Sequence, residues 1–272
     1  MNSYMSSAQL KQMAKAKLYG RLGTVIGAFL VHMTVYLVLS YAVDGFNTNT
    51  VLGVILYFGI GFAIDLFISI FTAGENFLYL NICTGNEGTV ADVFYGFKGF
   101  AGKTMLLRFI PVLVSTLVSI PSFLLFRLFS TVMPSTEEML AMLQSSNVQP
   151  LMELSEKLFP ITSLCCTLGL FQIVITLTVD VIFSQTLFFM LDYPDCTVMD
   201  TLKNSIRIMK GNWGRYLYIL LSFIPWYFLG ICTFYISFAW SYPYQKATMT
   251  NFYLELIQNY NKDGNTADGY NN

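Results

Sequence analysis

The sequence predicts an all-α protein, a polytopic transmembrane bundle of six spans (or five) arranged as three helical hairpins, each preceded by a cytoplasmic amphipathic helix. Three observations predict it. Of the 272 residues 55% are hydrophobic and 11% charged, with a mean hydropathy of +0.56, whereas water-soluble domains run at about 45–50% apolar and about 25% charged. Apolar runs long enough to cross a bilayer recur along the chain, and a short polar pattern recurs before them.

A span needs about 20 mostly apolar residues, because backbone polar groups must be satisfied inside the hydrocarbon, and a helix does so internally. Such runs lie at about 22–42, 51–73, 105–129 and 161–191, and the last apolar block divides into 216–231 and 234–253 if it turns near Gly230 to Phe234. The first run is too long for the apolar core of a signal peptide and reads as a retained span. Residues 1–258 form one integral membrane domain on this reading, and the Asn, Gly and Asp-rich stretch 259–272 is a disordered tail.

Basic residues orient the spans, since those near span ends stay cytoplasmic. Lys11, Lys15, Lys17 and Arg21, then Lys98 and Lys103, then Lys203, Arg207, Lys210 and Arg215 fall on one face, against Lys157 on the other. Both chain ends are therefore expected inside a bacterial cytoplasmic membrane. The segment 130–160 is an outer loop, acidic through Glu137, Glu138, Glu153 and Glu156, with short helices starting after Pro134 and at Pro150.

The repeat decides the final block. Ser6 to Gln9, Thr89 to Asp92 and Thr197 to Asp200 each read as a capping box, and the segments close on an aromatic, a glycine and a cation, in Lys17-Leu18-Tyr19-Gly20-Arg21, Lys98-Gly99-Phe100-Ala101-Gly102-Lys103 and Lys210-Gly211-Asn212-Trp213-Gly214-Arg215. The returning spans also end alike, in Asn76-Phe77-Leu78-Tyr79, Thr186-Leu187-Phe188-Phe189 and Asn251-Phe252-Tyr253-Leu254. Three units in the same order imply three hairpins.

Chemical signatures are sparse. The chain has no His-Glu-x-x-His, Gly-x-Ser-x-Gly, Walker or dinucleotide motif, and its single histidine is His32. The five cysteines include no Cys-x-x-Cys pair, so neither a disulfide framework nor a zinc site is expected, and no cofactor is implied. A net charge of -1 argues against nucleic acid as a partner. Polar or small residues do recur every fourth position, in Thr24, Ala28, His32, Tyr36 and Ser40, in Tyr57, Gly61, Asp65 and Ser69, in Gln172, Thr176, Asp180 and Ser184, and in Ser237, Ser241 and Gln245. Residues at i and i+4 share a helix face, so these stripes are expected to turn from lipid toward other helices. Asp65, Asp180, His32 and Gln172 make up the candidate intramembrane polar site, because carboxylates at membrane depth mark solute or proton pathways more often than hydroxyls do.

At Ser205, Met209-Lys210-Gly211, Trp213, Phe223, Trp226, Gly230, Trp240, Pro243-Tyr244, Thr248 and Phe252-Tyr253, the C-terminal third resembles an uncharacterised family of bacterial integral membrane proteins catalogued as domain of unknown function 975. Weaker similarity runs through Leu10-Lys11, Ala14, Leu18 and Gly20 and through Phe94 to Phe97. The resemblance implies a bacterial polytopic protein and supplies no reaction or catalytic residue; where members carry a Pro-Gly pair in the fourth span, this chain has Thr178-Val179-Asp180. The expected partners are the lipid bilayer and a small-molecule or lipid ligand bound or moved through an inter-helix cavity, by this chain alone or as a partner subunit. A structural or protective protein of envelope stress and an intramembrane enzyme are the alternatives.

Overall fold

The computed structural model describes residues 4–46, 48–144 and 148–262, and among these every regular element is a helix. The helices are α1 (Ser7–Leu18), α2 (Leu22–Asp44), α3 (Val51–Thr84), a 3-10 helix at Val90–Phe97, α4 (Ala101–Val132), α5 (Thr136–Gln144), α6 (Gln149–Phe183), α7 (Thr186–Asp192), α8 (Val198–Met209), α9 (Trp213–Leu221), α10 (Ile224–Cys232) and α11 (Phe238–Lys262). Five stretches are long and apolar enough to cross a membrane, namely Leu22–Val43, Val51–Thr84, Ala101–Val132, Gln149–Asp192 and Trp213–Cys232.

The chain divides into two compact units, one of Met1–Ile110 with Val181–Asn272 and one of Pro111–Asp180. In the second unit, α5 starts as the sequence indicates: the Ser135 N–H donates to Glu138 Oε2 at 2.9 Å and the Glu138 N–H to Ser135 Oγ at 3.2 Å. The helix expected at Pro150 does not stop short of the fourth span. It runs on through Pro160 as one 35-residue helix, because a proline removes one backbone donor and bends a helix, while no glycine is there to end it.

In the first unit the repeat is structural. Ser6 caps α1 reciprocally with Gln9, the Ser6 N–H donating to Gln9 Oε1 at 2.8 Å and the Gln9 N–H to Ser6 Oγ at 3.3 Å. The Thr89 N–H donates to Asp92 Oδ2 at 2.9 Å. At the third copy the Asp200 N–H donates to Thr197 Oγ1 at 3.2 Å, and the Thr197 hydroxyl itself donates to Asp200 Oδ2 at 2.5 Å. Each segment then exits through its glycine in the left-handed region, with φ of 77° at Gly20, 91° at Gly99 and 85° at Gly211, a conformation that glycine adopts without a Cβ penalty. The middle segment is a 3-10 helix rather than the amphipathic α-helix expected.

These three surface segments are arranged cyclically. The 3-10 helix packs on α3 and α8 packs on α7, each on the returning helix just before it in the chain, and α1, which follows none, packs on α11. Leu10, Ala14 and Leu18 of α1 lie one turn apart, are buried, and share a core with Phe252 and Leu256 of α11. The 3-10 helix sits so close on α3 that a Cβ at Gly74 would lie 1.9 Å from the Val93 carbonyl oxygen and one at Gly96 2.3 Å from that of Ile70. Phe77 and Tyr95 stack across the same contact, with ring centroids 3.5 Å apart.

Two span limits are corrected. The second span does not end near residue 73, since α3 continues to Thr84 with Gly74, Glu75, Asn76, Leu78, Tyr79, Leu80, Ile82 and Cys83 buried. Packing by protein, not lipid, sustains the helix past its apolar stretch. The final block turns where expected, through Phe234 (φ 50°) and Tyr235 (φ 68°), and returns as α11. Yet α11 is not among the five apolar stretches: Ala247 to Tyr253 are buried without interruption, so protein shelters that part of the helix on every side and its polar residues never meet lipid. Asn259 to Lys262 belong to α11, and the rest of the expected tail, 263–272, lies outside the described residues.

Gly74→Ala should therefore destabilise the fold by about 1–3 kcal/mol or more, since backbone atoms, not a flexible side chain, would have to yield; thermal unfolding of the detergent-solubilised protein measures it. Thr197→Ala should cost about 0.5–2 kcal/mol of local helix stability, seen as faster amide exchange near Leu202, and unchanged protection there would remove the capping argument.

Candidate functional site

Glu75 is the most deeply buried charge among the described residues of the first unit, at 0% exposure. It lies on the face of α3 that carries Ile68, Phe71, Leu78, Tyr79 and Ile82, a helical 3-4 spacing that turns one stripe inward. Its Oε2 accepts a hydrogen bond from the Tyr242 hydroxyl of α11 at 2.8 Å. Nδ1 of His32, on α2, is 3.0 Å from the same oxygen, and Nζ of Lys246, on α11, is 4.0 Å from it. Lys246 also donates to Asn76 Oδ1 at 3.4 Å.

Three buried polar atoms nearby on these two helices have no hydrogen-bond partner among the described residues: Glu75 Oε1, the Tyr79 hydroxyl and Ser241 Oγ. Aromatic rings wall the cluster, with Phe29 against Tyr242 at 4.9 Å and Phe71 against His32 at 6.4 Å between centroids. Tyr227 of α10 donates to Gln245, one residue before Lys246. Helices from the first and third hairpins thus converge on one carboxylate.

The four residues singled out from the sequence are distributed differently. His32 belongs to this cluster. Asp65 lies on an exposed side of α3, with Arg108 of α4 within electrostatic reach. Gln172 and Asp180 line one groove of about 490 Å³ in the second unit, together with Gly169, Ile173, Thr176 and Leu177, and Asp180 is exposed there. The i+4 spacing does bring Gln172, Thr176 and Asp180 onto one face, whereas on α3 the stripe turns inward only at Ser69.

Glu75, Tyr242 and Lys246 were missed. The polar triplet Gly74-Glu75-Asn76 looks like the end of a span when hydropathy sets the limit. The available signal was the repeat itself, since Asn76 opens a segment that recurs after each returning span, and the residue before it, Glu75, Gln185 or Thr250, is polar in all three copies and buried in each.

The fold and this cluster define a polytopic helical membrane protein with a charged group enclosed among its helices. The chain belongs to the family described as proteins of unknown function, DUF975, whose model matches residues 1–260. No curated protein and no solved structure matches it.

Removing one partner of a buried ion pair costs about 3–5 kcal/mol, because the other charge stays buried and uncompensated. Glu75→Ala should approach that loss, leaving Tyr242 without its acceptor and Lys246 without its counter-charge. Glu75→Gln, which keeps an oxygen for Tyr242, should lose less. Thermal melts followed by helix content establish the order, and equal melts for both variants and the parent would show that the carboxylate is not a tie between helices.

Proposed function

We propose that this protein is a non-enzymatic multi-pass protein of a bacterial cytoplasmic membrane that binds or moves a small or lipidic ligand through polar sites between its helices, alone or as the partner subunit of such a system. Glu75 carries the reading. A carboxylate inside a membrane bundle costs more than a hydroxyl that could join helices equally well, and such groups mark solute paths and proton relays. The groove on α6 supplies a place of ligand size, where Gln172 and Asp180 sit beside Ile173 and Leu177, a mixture suited to an amphiphile.

Six crossings with both chain ends inside go with this reading. The basic residues cluster on the segments 11–21, 98–103 and 203–215. Helix α11 has 25 residues, about 37 Å at 1.5 Å per residue, against about 30 Å of hydrocarbon. A structural or protective role in the envelope is the second reading, favoured by the ties that Glu75 makes to both α2 and α11.

Native mass spectrometry of the protein released from its own membrane should show an adduct of constant mass that is lost when Gln172→Leu and Asp180→Leu are combined. Absence of any adduct, with variants that behave like the parent, would favour the protective role. A single cysteine placed at Asn265 should react with an impermeant reagent only after the cells are opened; labelling from outside would reduce the crossings to five.

A further inference from the structure

We propose that His32 and Glu75 form a proton-binding pair in which His32 is the entry and Glu75 the seat, and that the proton decides how tightly α11 is held against α3. The inference rests on the reading of Glu75 as functional and names the species that it binds. Three observations lead to it. Glu75 is enclosed by Tyr242, His32 and Lys246 and has no exposed surface, so a ligand that reaches its carboxylate without rearranging the helices must need almost no volume, and a proton needs none. His32 retains 15% exposure of its side chain while its Nδ1 faces the carboxylate at 3.0 Å, so the side chain that touches the enclosed carboxylate also has some surface of its own. Imidazole carries protons near neutrality by taking one at one nitrogen and releasing another from the second.

The step balances without any other reactant. Nε2 of His32 takes a proton from water, Nδ1 passes its own proton to Oε2 of Glu75, and the imidazole is left neutral in the other tautomer. The carboxylate becomes a carboxyl, and the pair has gained one proton. Before the step Glu75 and Lys246 carry opposite charges 4.0 Å apart. After it the Lys246 ammonium keeps only its neutral contact with Asn76 Oδ1 and the ring of Tyr242, 5.6 Å from its nitrogen, and the electrostatic hold of α11 on α3 is weakened.

The titratable and charged groups around the pair lie on α3, α11 and α4, and on α10, whose Tyr227 donates to Gln245. Helix α3 contributes Tyr79, whose buried hydroxyl is one turn from Glu75, and α11 contributes Tyr242 and Lys246. From α4, Arg108 acts on Lys246 through its charge and on Asp65 beyond it.

The full-length protein in phospholipid nanodiscs, taken from about pH 8 to about pH 5 across the range in which imidazoles titrate, should show in its infrared difference spectrum a protonated-carboxyl band that is absent from Glu75→Gln. After a rapid pH drop, His32→Asn should form that band at least about tenfold more slowly, the loss expected when a positioned proton carrier is removed. A band of full size in Glu75→Gln would place the proton on another carboxyl and overturn the pair. A folded His32→Asn protein that forms the band as fast as the parent would overturn the entry, whether or not Glu75→Gln folds. A parent that yields the Glu75 band but carries no ligand adduct supports the proton site and counts against ligand binding. A parent with the adduct and no such band sinks the proton site alone.

Discussion

The packing of α1 on α11 is the contact on which the rest of the first unit depends. The other two contacts of its kind, the 3-10 helix on α3 and α8 on α7, join neighbours in the chain and close only short loops. Bringing Leu10 against Phe252 and Leu256 closes a loop of some 240 residues, and the entropy of closure rises with length, by about 0.6 kcal/mol per doubling. Burial of Leu10 and Leu18, worth about 1.5–3 kcal/mol each, offsets it. The polar ties at this end of the chain then fix its register: Arg215 bonds both the Met5 carbonyl and Glu255, each at 2.8 Å, and Glu255 accepts in turn from the Met5 N–H. Without that closure Asn251, which donates to the Leu10 carbonyl at 3.5 Å, and Glu255 would lose these partners.

Much of this architecture is legible in the sequence, and what is not has a common physical cause. The first four apolar runs, the capping residues Ser6, Thr89 and Thr197 and the turn near Gly230 all follow from local chemistry, which a linear reading captures. Hydropathy, however, reports which residues lipid tolerates. It is silent about residues that other helices cover. The last ten residues of α3 and much of α11 are covered in this way, so Glu75 falls beyond the span read as 51–73, while Tyr242 and Lys246 lie inside the one read as 234–253 but off the faces that i+4 spacing singles out. The expectation for α3 erred in the opposite sense, since i+4 spacing identifies a shared face but not the direction in which that face points, and the face of Asp65 is exposed.

Burial in the first unit is concentrated toward one end of its helices. On α2, Val25 and Ala28 are fully buried while Leu37, Val38 and Tyr41 are exposed, and on α3, Val51, Leu52 and Ile55 are exposed while Leu78, Tyr79 and Ile82 are buried. The helices run in opposite directions along the chain, so the buried ends lie together, where the three surface segments pack. A charge is tolerable there for the reason that makes it costly elsewhere: a low-dielectric setting strengthens each hydrogen bond and each opposite charge that it meets. Glu75 meets His32, Tyr242 and Lys246 within 4.0 Å.

The threefold repeat explains why one such group exists and not three. Glu75, Gln185 and Thr250 occupy the same place in successive units and are all buried, so the frame demands a polar side chain at each and leaves its chemistry open. The Thr250 hydroxyl satisfies itself on the carbonyl of Lys246, one turn back along α11, at 3.0 Å. The Gln185 amide donates to the neighbouring Ser184 at 3.0 Å. Neither changes charge at any pH that the fold survives. Glu75 is the one that can, and it alone of the three is set against an imidazole. A repeated scaffold with a single titratable position concentrates the response to a proton in one wall of the bundle, and the helix on the far side of that position, α11, is the one whose packing joins the two ends of the chain.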